Sequence, residues 1–132
     1  MNSASEYFIQ RYNTNYLELT TKKEFMTGYK EIEAQDLFEM LSRQKVHLVD
    51  VRNDDEVARG IIPGGKHIPL AMIPVKSDSL AGDDALVFYC HSGIRSAQAA
   101  AFIANKGRTQ VFNLRGGVLA WGKAGYTFVA KG

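Results

Sequence analysis

Short apolar runs alternate with helical patterns along most of this chain. The run at 85–89 contains no polar residue, which is typical of a strand covered on both faces in a parallel sheet. A second short run at 46–50 ends in a charge and predicts another buried strand, and a third strand is predicted at 110–114. Two further short strands are expected at 31–32 and 66–69.

Helical patterns lie between these runs. They predict helices over 34–44 and 97–106, a short helix over 53–59 and a final helix through Trp121. Residues 70–84 are expected to form a loop with irregular helix. Phe102 and Ile103 are expected to face the core, and Trp121 to fill it, with its indole N–H on a carbonyl. Because strand and helix signals alternate, the sequence predicts an α/β fold with a parallel sheet.

An aromatic-rich segment precedes these elements. Phe8, Tyr12 and Tyr16 are four residues apart and would share one face of a helix. Thr21 and Glu24 have the spacing of a capping box. We expect residues 1–28 to be a helical extension of a domain formed by residues 29–132. Packing on that domain is favoured over docking a partner, because most amphipathic helices simply pack.

Composition restricts the class of protein without identifying it. The chain has 132 residues, enough for one domain with a real core. A net charge of +2 is too small to indicate nucleic acid or an anionic membrane as a partner. No apolar run approaches the ~18 residues of a membrane span, and the first residues lack the features of a signal peptide.

The chain contains one cysteine. It therefore forms no internal disulfide and no zinc cluster of several thiolates. His67 lacks further ligands at metal-binding spacing, so no metal site is expected. A reduced thiol suits the cytoplasm, which is the expected location.

That cysteine, Cys90, directly follows the buried run and precedes a short loop and an alanine-rich helix. The helix N-terminus offers unpaired N–H groups and the positive end of its dipole. A free thiol has a pKa of about 8.5, which helix N-termini and nearby cations lower. Arg95 supplies such a cation at any ordinary pH. The sequence therefore predicts a nucleophilic thiolate, rather than a cysteine buried as a small apolar residue.

Four ordered motifs resemble those of the rhodanese (sulfurtransferase) family and cover about residues 30–130. Residues 90–96, Cys-His-Ser-Gly-Ile-Arg-Ser, are similar to its active-site loop, Cys-x-x-Gly-x-Arg-Ser/Thr. Residues 48–52 with Glu56 resemble its Asp-Val-Arg…Glu motif. The other two motifs lie at 60–65, where Ile61 replaces the family's usual histidine, and at 114–117 followed by Trp121.

The resemblance implies a three-layer α/β domain with a central, mainly parallel five-stranded sheet flanked by helices. It implies that Cys90 takes sulfane sulfur from a donor such as thiosulfate, forms a persulfide and passes the sulfur to a thiol or cyanide. The residues expected to bind the substrate are His91, Ser92, Gly93, Ile94, Arg95 and Ser96. Structural support is expected from Asp50, Arg52 and Glu56, with Asp50 and Arg52 as a brace rather than as catalysts.

The expected partners are a small anionic sulfur donor and a thiol or protein acceptor, with no cofactor, no nucleic acid and no membrane. The chain is expected to be a monomer or a weak dimer. His91 has two open interpretations, as a residue that binds anions or steers the acceptor and as a solvated loop residue. Ser96 offers a hydroxyl to the site or simply caps the helix.

Two other functions compete with sulfur transfer. Cysteine-dependent phosphatases and arsenate reductases use loops of the form Cys-x5-Arg, whereas four residues separate Cys90 from Arg95. The smaller ring of N–H groups should admit a single sulfur more easily than a phosphate. A non-catalytic rhodanese-like binding module is the other alternative, and the presence of both Cys90 and Arg95 argues against it.

Overall fold

A parallel five-stranded sheet forms the centre of the structure, a computed structural model that describes residues 22–132. Its strands are β1 (Lys30–Ile32), β2 (Val46–Asp50), β3 (Gly65–His67), β4 (Ala85–Tyr89) and β5 (Val111–Leu114). Their order in the sheet is β1-β5-β4-β2-β3, and every neighbouring pair is parallel. Because Asp50 is paired with Tyr89, the residues after β2 and β4 emerge side by side at the carboxyl edge.

Helices cover both faces of this sheet. They are α1 (Ala34–Arg43), α2 (Asp54–Val57), α3 (Ile94–Asn105) and α4 (Gly117–Lys123), with 3-10 turns at Leu70–Met72 and Ser77–Leu80 and a helical segment at 22–27. Helices α1 and α4 share one core cluster, which includes Val87 and Tyr89. Helix α3 belongs to the cluster on the other face, with Leu86 and Phe88. All of β4 is buried because successive side chains enter opposite cores, which explains its unbroken apolar run.

The predicted three-layer architecture is confirmed, and the predicted element ends shift by a few residues. The largest shift is at α3, which begins at Ile94 rather than at residue 97. Gly93, with φ +102, is its N-cap, so the loop that follows Cys90 is shorter than expected. Helix α1 begins without a Ser or Thr cap, but Asp36 accepts a hydrogen bond from the N–H of Glu33 at 2.8 Å.

Of the two residues expected to face the core from α3, one does not. Ile103 is buried, whereas Phe102 is 37% exposed and has the ammonium of Lys106 over its ring at 5.3 Å. Successive residues of a helix point about 100° apart, so Ile103 faces the sheet and Phe102 lies at the margin. Trp121 is buried as predicted, and its indole N–H donates to the carbonyl of Thr127 at 2.9 Å.

The aromatic face of Phe8, Tyr12 and Tyr16 lies outside the described residues, as does Thr21 of the expected capping box. The choice between packing and docking therefore stays a prediction. Within the described part, Tyr29 is buried in the core on the α3 face, and Gly28 lies against Ala104 of α3. None of the helices in residues 22–132 combines the length and hydropathy needed to span a membrane.

Candidate active site

The loop between β4 and α3 lies at the carboxyl edge of the sheet, where open α/β proteins bind ligands. Cys90 follows the last residue of β4, and the chain turns sharply before α3 begins. Gly93 makes this turn in the left-handed region. A Cβ there would lie 3.2 Å from the N atom of Gly116 and 3.3 Å from the carbonyl oxygen of Leu114. Glycine is therefore required by the backbone conformation and also by the close approach of the next loop.

The sulfur of Cys90 lies among hydrogen-bond donors from this turn. The N–H of Gly93 lies 3.1 Å from Sγ, the N–H of Ser96 3.4 Å and the hydroxyl of Ser96 3.3 Å. Burial of the thiol, which is 1% exposed, acts to raise its pKa. The donors of Ser96, with the N–H groups of Gly93 and Ser92, outweigh that effect and hold the pKa of Cys90 below its ordinary value. This arrangement favours the thiolate.

Ser96 is not the helix cap that one interpretation of the sequence suggested. It lies in the first turn of α3, where Gly93 is the N-cap, and both its N–H and its hydroxyl point at the sulfur. Arg95 and Ile94 also lie in this first turn.

Helix α4 supports the loop from behind. Its Val118 and Leu119 N–H groups donate to the carbonyls of Cys90 and His91 at 2.9 and 3.2 Å. Helix N-termini leave such N–H groups unpaired, and here the loop satisfies them. Gly117 permits the contact, because a Cβ at this position would overlap the carbonyl of Cys90 and lie 2.5 Å from that of His91. Glycine at this position therefore serves a close approach of two backbone segments.

Arg95 and Glu56 form a bidentate ion pair beside the loop. The Nη1–Oε1 distance is 2.7 Å and the Nη2–Oε2 distance is 2.8 Å. Glu56 also accepts the N–H of Asn53, the N-cap of α2, at 3.0 Å. The hydrogen bonds from Arg95, helped by that N–H, lower the pKa of Glu56 to about 2. Glu56, expected as structural support, thus lies in the site itself, where it holds the arginine expected to bind the substrate.

Asp50 and Arg52 form a second, fully buried ion pair. Arg52 donates to the Asp50 carboxylate from Nε at 3.0 Å and from Nη2 at 2.8 Å, and Nη2 also donates to the carbonyl of Gly60 at 2.7 Å. Nε2 of His67 lies 2.6 Å from the carbonyl of Arg52. The pair joins the end of β2 to the turn at Gly60, and the expectation that it acts as a brace stays a prediction.

Ile61, which replaces the family's usual histidine, leaves no backbone group unpaired. Its N–H donates to the carbonyl of Val129 at 2.8 Å, and its carbonyl accepts from the N–H of Val129 at 2.9 Å. The side chain is buried. The departure from the motif therefore leaves the backbone of this turn hydrogen-bonded and the Cys90 loop untouched.

A cleft of about 350 Å³ opens over the loop and is lined by Arg52, Glu56, Arg59, His91, Arg95 and Val118. His91 is exposed at this cleft. Arg52 and Arg95 are committed to their carboxylates, whereas Arg59 forms no ion pair with any of residues 22–132. A larger cleft of about 470 Å³ lies between residues 77–82 and 103–108. It is at the amino edge of the sheet, the edge opposite to Cys90. Residues 22–132 contain no cluster of ligands that could hold a metal.

Several site residues were not found by sequence reasoning. The sequence pattern around Arg59 indicates only a short helix. Val118 and Leu119 act through their backbone N–H groups, which no side-chain motif identifies. Asn113 in β5 is buried and donates to the carbonyl of Gly93 at 3.1 Å. A polar residue near the carboxyl end of a buried strand was the available signal for it.

Comparisons with known proteins agree with this geometry. Residues 33–124 match the family model described as Rhodanese-like domain. A sulfurtransferase of Allochromatium vinosum is 40% identical over 101 residues, which cover 76% of this chain and 94% of the relative. The thiosulfate sulfurtransferase GlpE of Stutzerimonas stutzeri is 31% identical over 96 residues, 73% of this chain and 87% of that protein. The crystal structure of a rhodanese-related protein from Thermoplasma volcanium matches with a TM-score of 0.71 and 30% identity, and covers 78% of this chain and 100% of its own.

Proposed function

Because this chain belongs to the rhodanese-like domain family, we propose that it moves sulfane sulfur from an anionic donor such as thiosulfate to a thiol, through a persulfide on Cys90. The observation that carries the proposal is the ring of donors around the Cys90 sulfur, which lowers the pKa of the thiol despite its burial. A poised thiolate at the carboxyl edge of the sheet is what nucleophilic sulfur chemistry requires.

In the first half-reaction, the Cys90 thiolate attacks the outer sulfur of thiosulfate. A new S–S bond forms to Cys90 while the S–S bond of the donor breaks, and its electron pair leaves with sulfite. The Gly93 and Ser96 donors face the sulfur and stabilise the negative charge on it before and after transfer. No external oxidant or reductant is needed, because the transferred sulfur keeps its oxidation level.

In the second half-reaction, an acceptor thiolate attacks the outer sulfur of the persulfide and restores the Cys90 thiolate. The chain has a single cysteine, so the acceptor is an outside molecule rather than a resolving thiol of this chain. The two half-reactions predict ping-pong kinetics.

The charges of the cleft support an anionic donor. Arg95 contributes positive potential beside the sulfur, while Glu56 fixes the position of its guanidinium. Arg59 is not held by a carboxylate of residues 22–132 and is available to meet the oxyanion end of the donor. His91 lines the same cleft, and we expect it to contact an anion or the incoming acceptor.

Intact-protein mass spectrometry tests the proposal. Incubation with thiosulfate should add the mass of one sulfur to the protein, and a thiol or cyanide should remove it. Cys90→Ala should gain nothing under the same conditions. Hydrolysis of an aryl phosphate without any sulfur adduct would favour a phosphatase instead. Inertness toward both reagents would favour a binding module.

A further inference from the structure

Asn113 links the active-site loop to the edge of the sheet. Its side chain is 1% exposed and lies in β5, in register with Glu31 of β1. The amide nitrogen Nδ2 is 3.0 Å from each carboxylate oxygen of Glu31 and 3.1 Å from the carbonyl oxygen of Gly93. One side-chain NH₂ group therefore joins a carboxylate on the outermost strand to the glycine at the turn of the loop.

The orientation of this amide follows from its neighbours. Glu31 and the Gly93 carbonyl are both acceptors, so only the NH₂ side of the amide can face them. The other atom, Oδ1, is buried and has no hydrogen-bond partner among residues 22–132. A buried acceptor without a partner destabilises a fold, and an apolar side chain of the same size would avoid that cost. The presence of asparagine at position 113 is therefore explained by its two N–H donors.

Those donors act on the most adaptable residue of the loop. Gly93 has φ +102, a conformation that glycine alone adopts readily, and glycine is also the least restrained residue. Its N–H donates to the Cys90 sulfur, and its carbonyl accepts from the N–H of Ala97 at 3.2 Å as well as from Asn113. The Gly93 peptide groups thus hold the sulfur on one side and are themselves held by Asn113 on the other.

We propose that Asn113, anchored by Glu31, is a positioning residue that fixes the Gly93 turn and keeps its N–H on the Cys90 sulfur. Through that contact it maintains the ionised, reactive form of the thiol. The consequence for turnover rests on the proposed sulfur transfer. The effect on thiol ionisation does not, because it can be measured without any substrate.

Titration of the Cys90 thiolate by its ultraviolet absorbance tests this role in the full chain, with Cys90→Ala as the baseline. Asn113→Leu keeps the size of the side chain and removes both donors. It should raise the pKa of Cys90 by about one unit. At a pH below the native pKa of the thiol, the rate of persulfide formation from thiosulfate should then fall about tenfold, since one unit there corresponds to a tenfold change in thiolate. The difference in rate should shrink as the pH is raised above the pKa of the variant.

Two further variants keep the test decisive. Glu31→Leu leaves Asn113 in place without its anchor. It should raise the pKa of Cys90 by less than Asn113→Leu does. If Asn113→Leu does not fold, the Glu31→Leu titration tests the role of Asn113. Asn105→Leu makes the same change at an exposed site at the other end of α3 and should titrate like the native protein. An unchanged Cys90 titration in folded Asn113→Leu, or in Glu31→Leu if the former does not fold, overturns the role of Asn113. Absence of any sulfur adduct on the native protein overturns the proposed function instead, and leaves the effect on ionisation intact.

Discussion

The Arg95 guanidinium and the Glu56 carboxylate form a bidentate pair that ties the first turn of α3 to α2 beside the cleft. The two side chains are 32% and 24% exposed. Paired hydrogen bonds between charged groups are stronger than those between neutral ones, and partial burial reduces screening by water. The pair therefore contributes to the rigidity of the site as well as to its charge.

Removing the charge of Glu56 should weaken the fold in a pH-dependent way. Glu56 has a pKa of about 2, below the ~4.3 of an unfolded glutamate. A carboxyl whose pKa falls on folding stabilises the protein above the unfolded pKa, and this stability is lost as the pH falls through the folded pKa. Glu56→Gln should therefore lower the free energy of unfolding by about 1–2 kcal/mol at pH 7. The loss should diminish from about pH 5 downward and be small by about pH 2.

Urea denaturation across this pH range measures the effect. Glu39→Gln is the matched control, because Glu39 pairs with Arg43 on the open surface of α1 at 3.7 Å. That substitution should cost less than about 0.5 kcal/mol at every pH. A loss for Glu56→Gln that stays constant from pH 7 to pH 2 would contradict the ion-pair account.

The hydroxyl of Ser96 should contribute directly to the acidity of Cys90. It lies 3.3 Å from the sulfur and helps to hold the thiol pKa below its ordinary value. Ser96→Ala removes this donor and keeps the Ser96 N–H, so the pKa of Cys90 should rise by about half a unit to one unit. Alkylation by a small reagent should slow most at a pH below the pKa of the native thiol, and the two rates should converge above the pKa of the variant.

Ser92→Ala provides the comparison for this experiment. Ser92 acts on the sulfur through its backbone N–H, which the substitution retains. The pH profile of Ser92→Ala should therefore match that of the native protein. Equal shifts in the two variants would show that the Ser96 hydroxyl has no particular role.

Gly117 should be among the least replaceable residues outside the loop. It has φ +54, and a Cβ would meet the carbonyls of Cys90 and His91. Gly117→Ala should lower the free energy of unfolding by about 3 kcal/mol or more, because backbone strain and steric overlap add. Gly125→Ala, with φ +89 and open space around it, should cost only the strain of about 1–2 kcal/mol. Thermal denaturation of both variants separates the two contributions, and equal losses would exclude the overlap.

Arg59 should recruit anionic donors to the cleft. Its charge lies at the site without an ion-pair partner among residues 22–132. Arg59→Gln should raise the KM for thiosulfate about three- to tenfold with little change in kcat, and should weaken the decline of kcat/KM with added salt. Arg43→Gln removes the same charge at the end of α1, at the opposite edge of the sheet, and should leave both unchanged. Loss of kcat at unchanged KM would indicate that Arg59 acts on the chemical step.

The layout of this domain is largely readable from its sequence, because buried strands and glycine-terminated helices are local signals. The run at 85–89 and the loop after it place Cys90 at the carboxyl edge without any knowledge of tertiary contacts. The partners of the site residues could not be predicted in this way, because they lie far away in the sequence. Arg95 meets Glu56 across 39 positions and Asn113 meets Glu31 across 82, so neither pair follows from local spacing.

The features of α3 that were not predicted have the same origin. The start of the helix depends on Gly93, which adopts φ +102. In that conformation the turn packs closely against the loop at Gly116. Ser96 becomes a donor to the sulfur only once the helix begins three residues earlier than the alanine-rich segment suggests. Phe102 is apolar but lies at the edge of its helix face, where its neighbours decide its exposure.

The hydrogen bonds between α4 and the loop of Cys90 have a consequence for how the protein is tagged and purified. The N–H groups of Val118 and Leu119 donate hydrogen bonds to the carbonyls of Cys90 and His91. Further along the chain, Val129 forms two backbone hydrogen bonds with Ile61. We expect an affinity tag or fluorescent fusion placed after Gly132 to disturb the contacts that support the loop of Cys90, although Cys90 lies 42 positions before Gly132 in the sequence. A preparation clipped near its carboxyl terminus should therefore lose thiol reactivity before it loses its sheet.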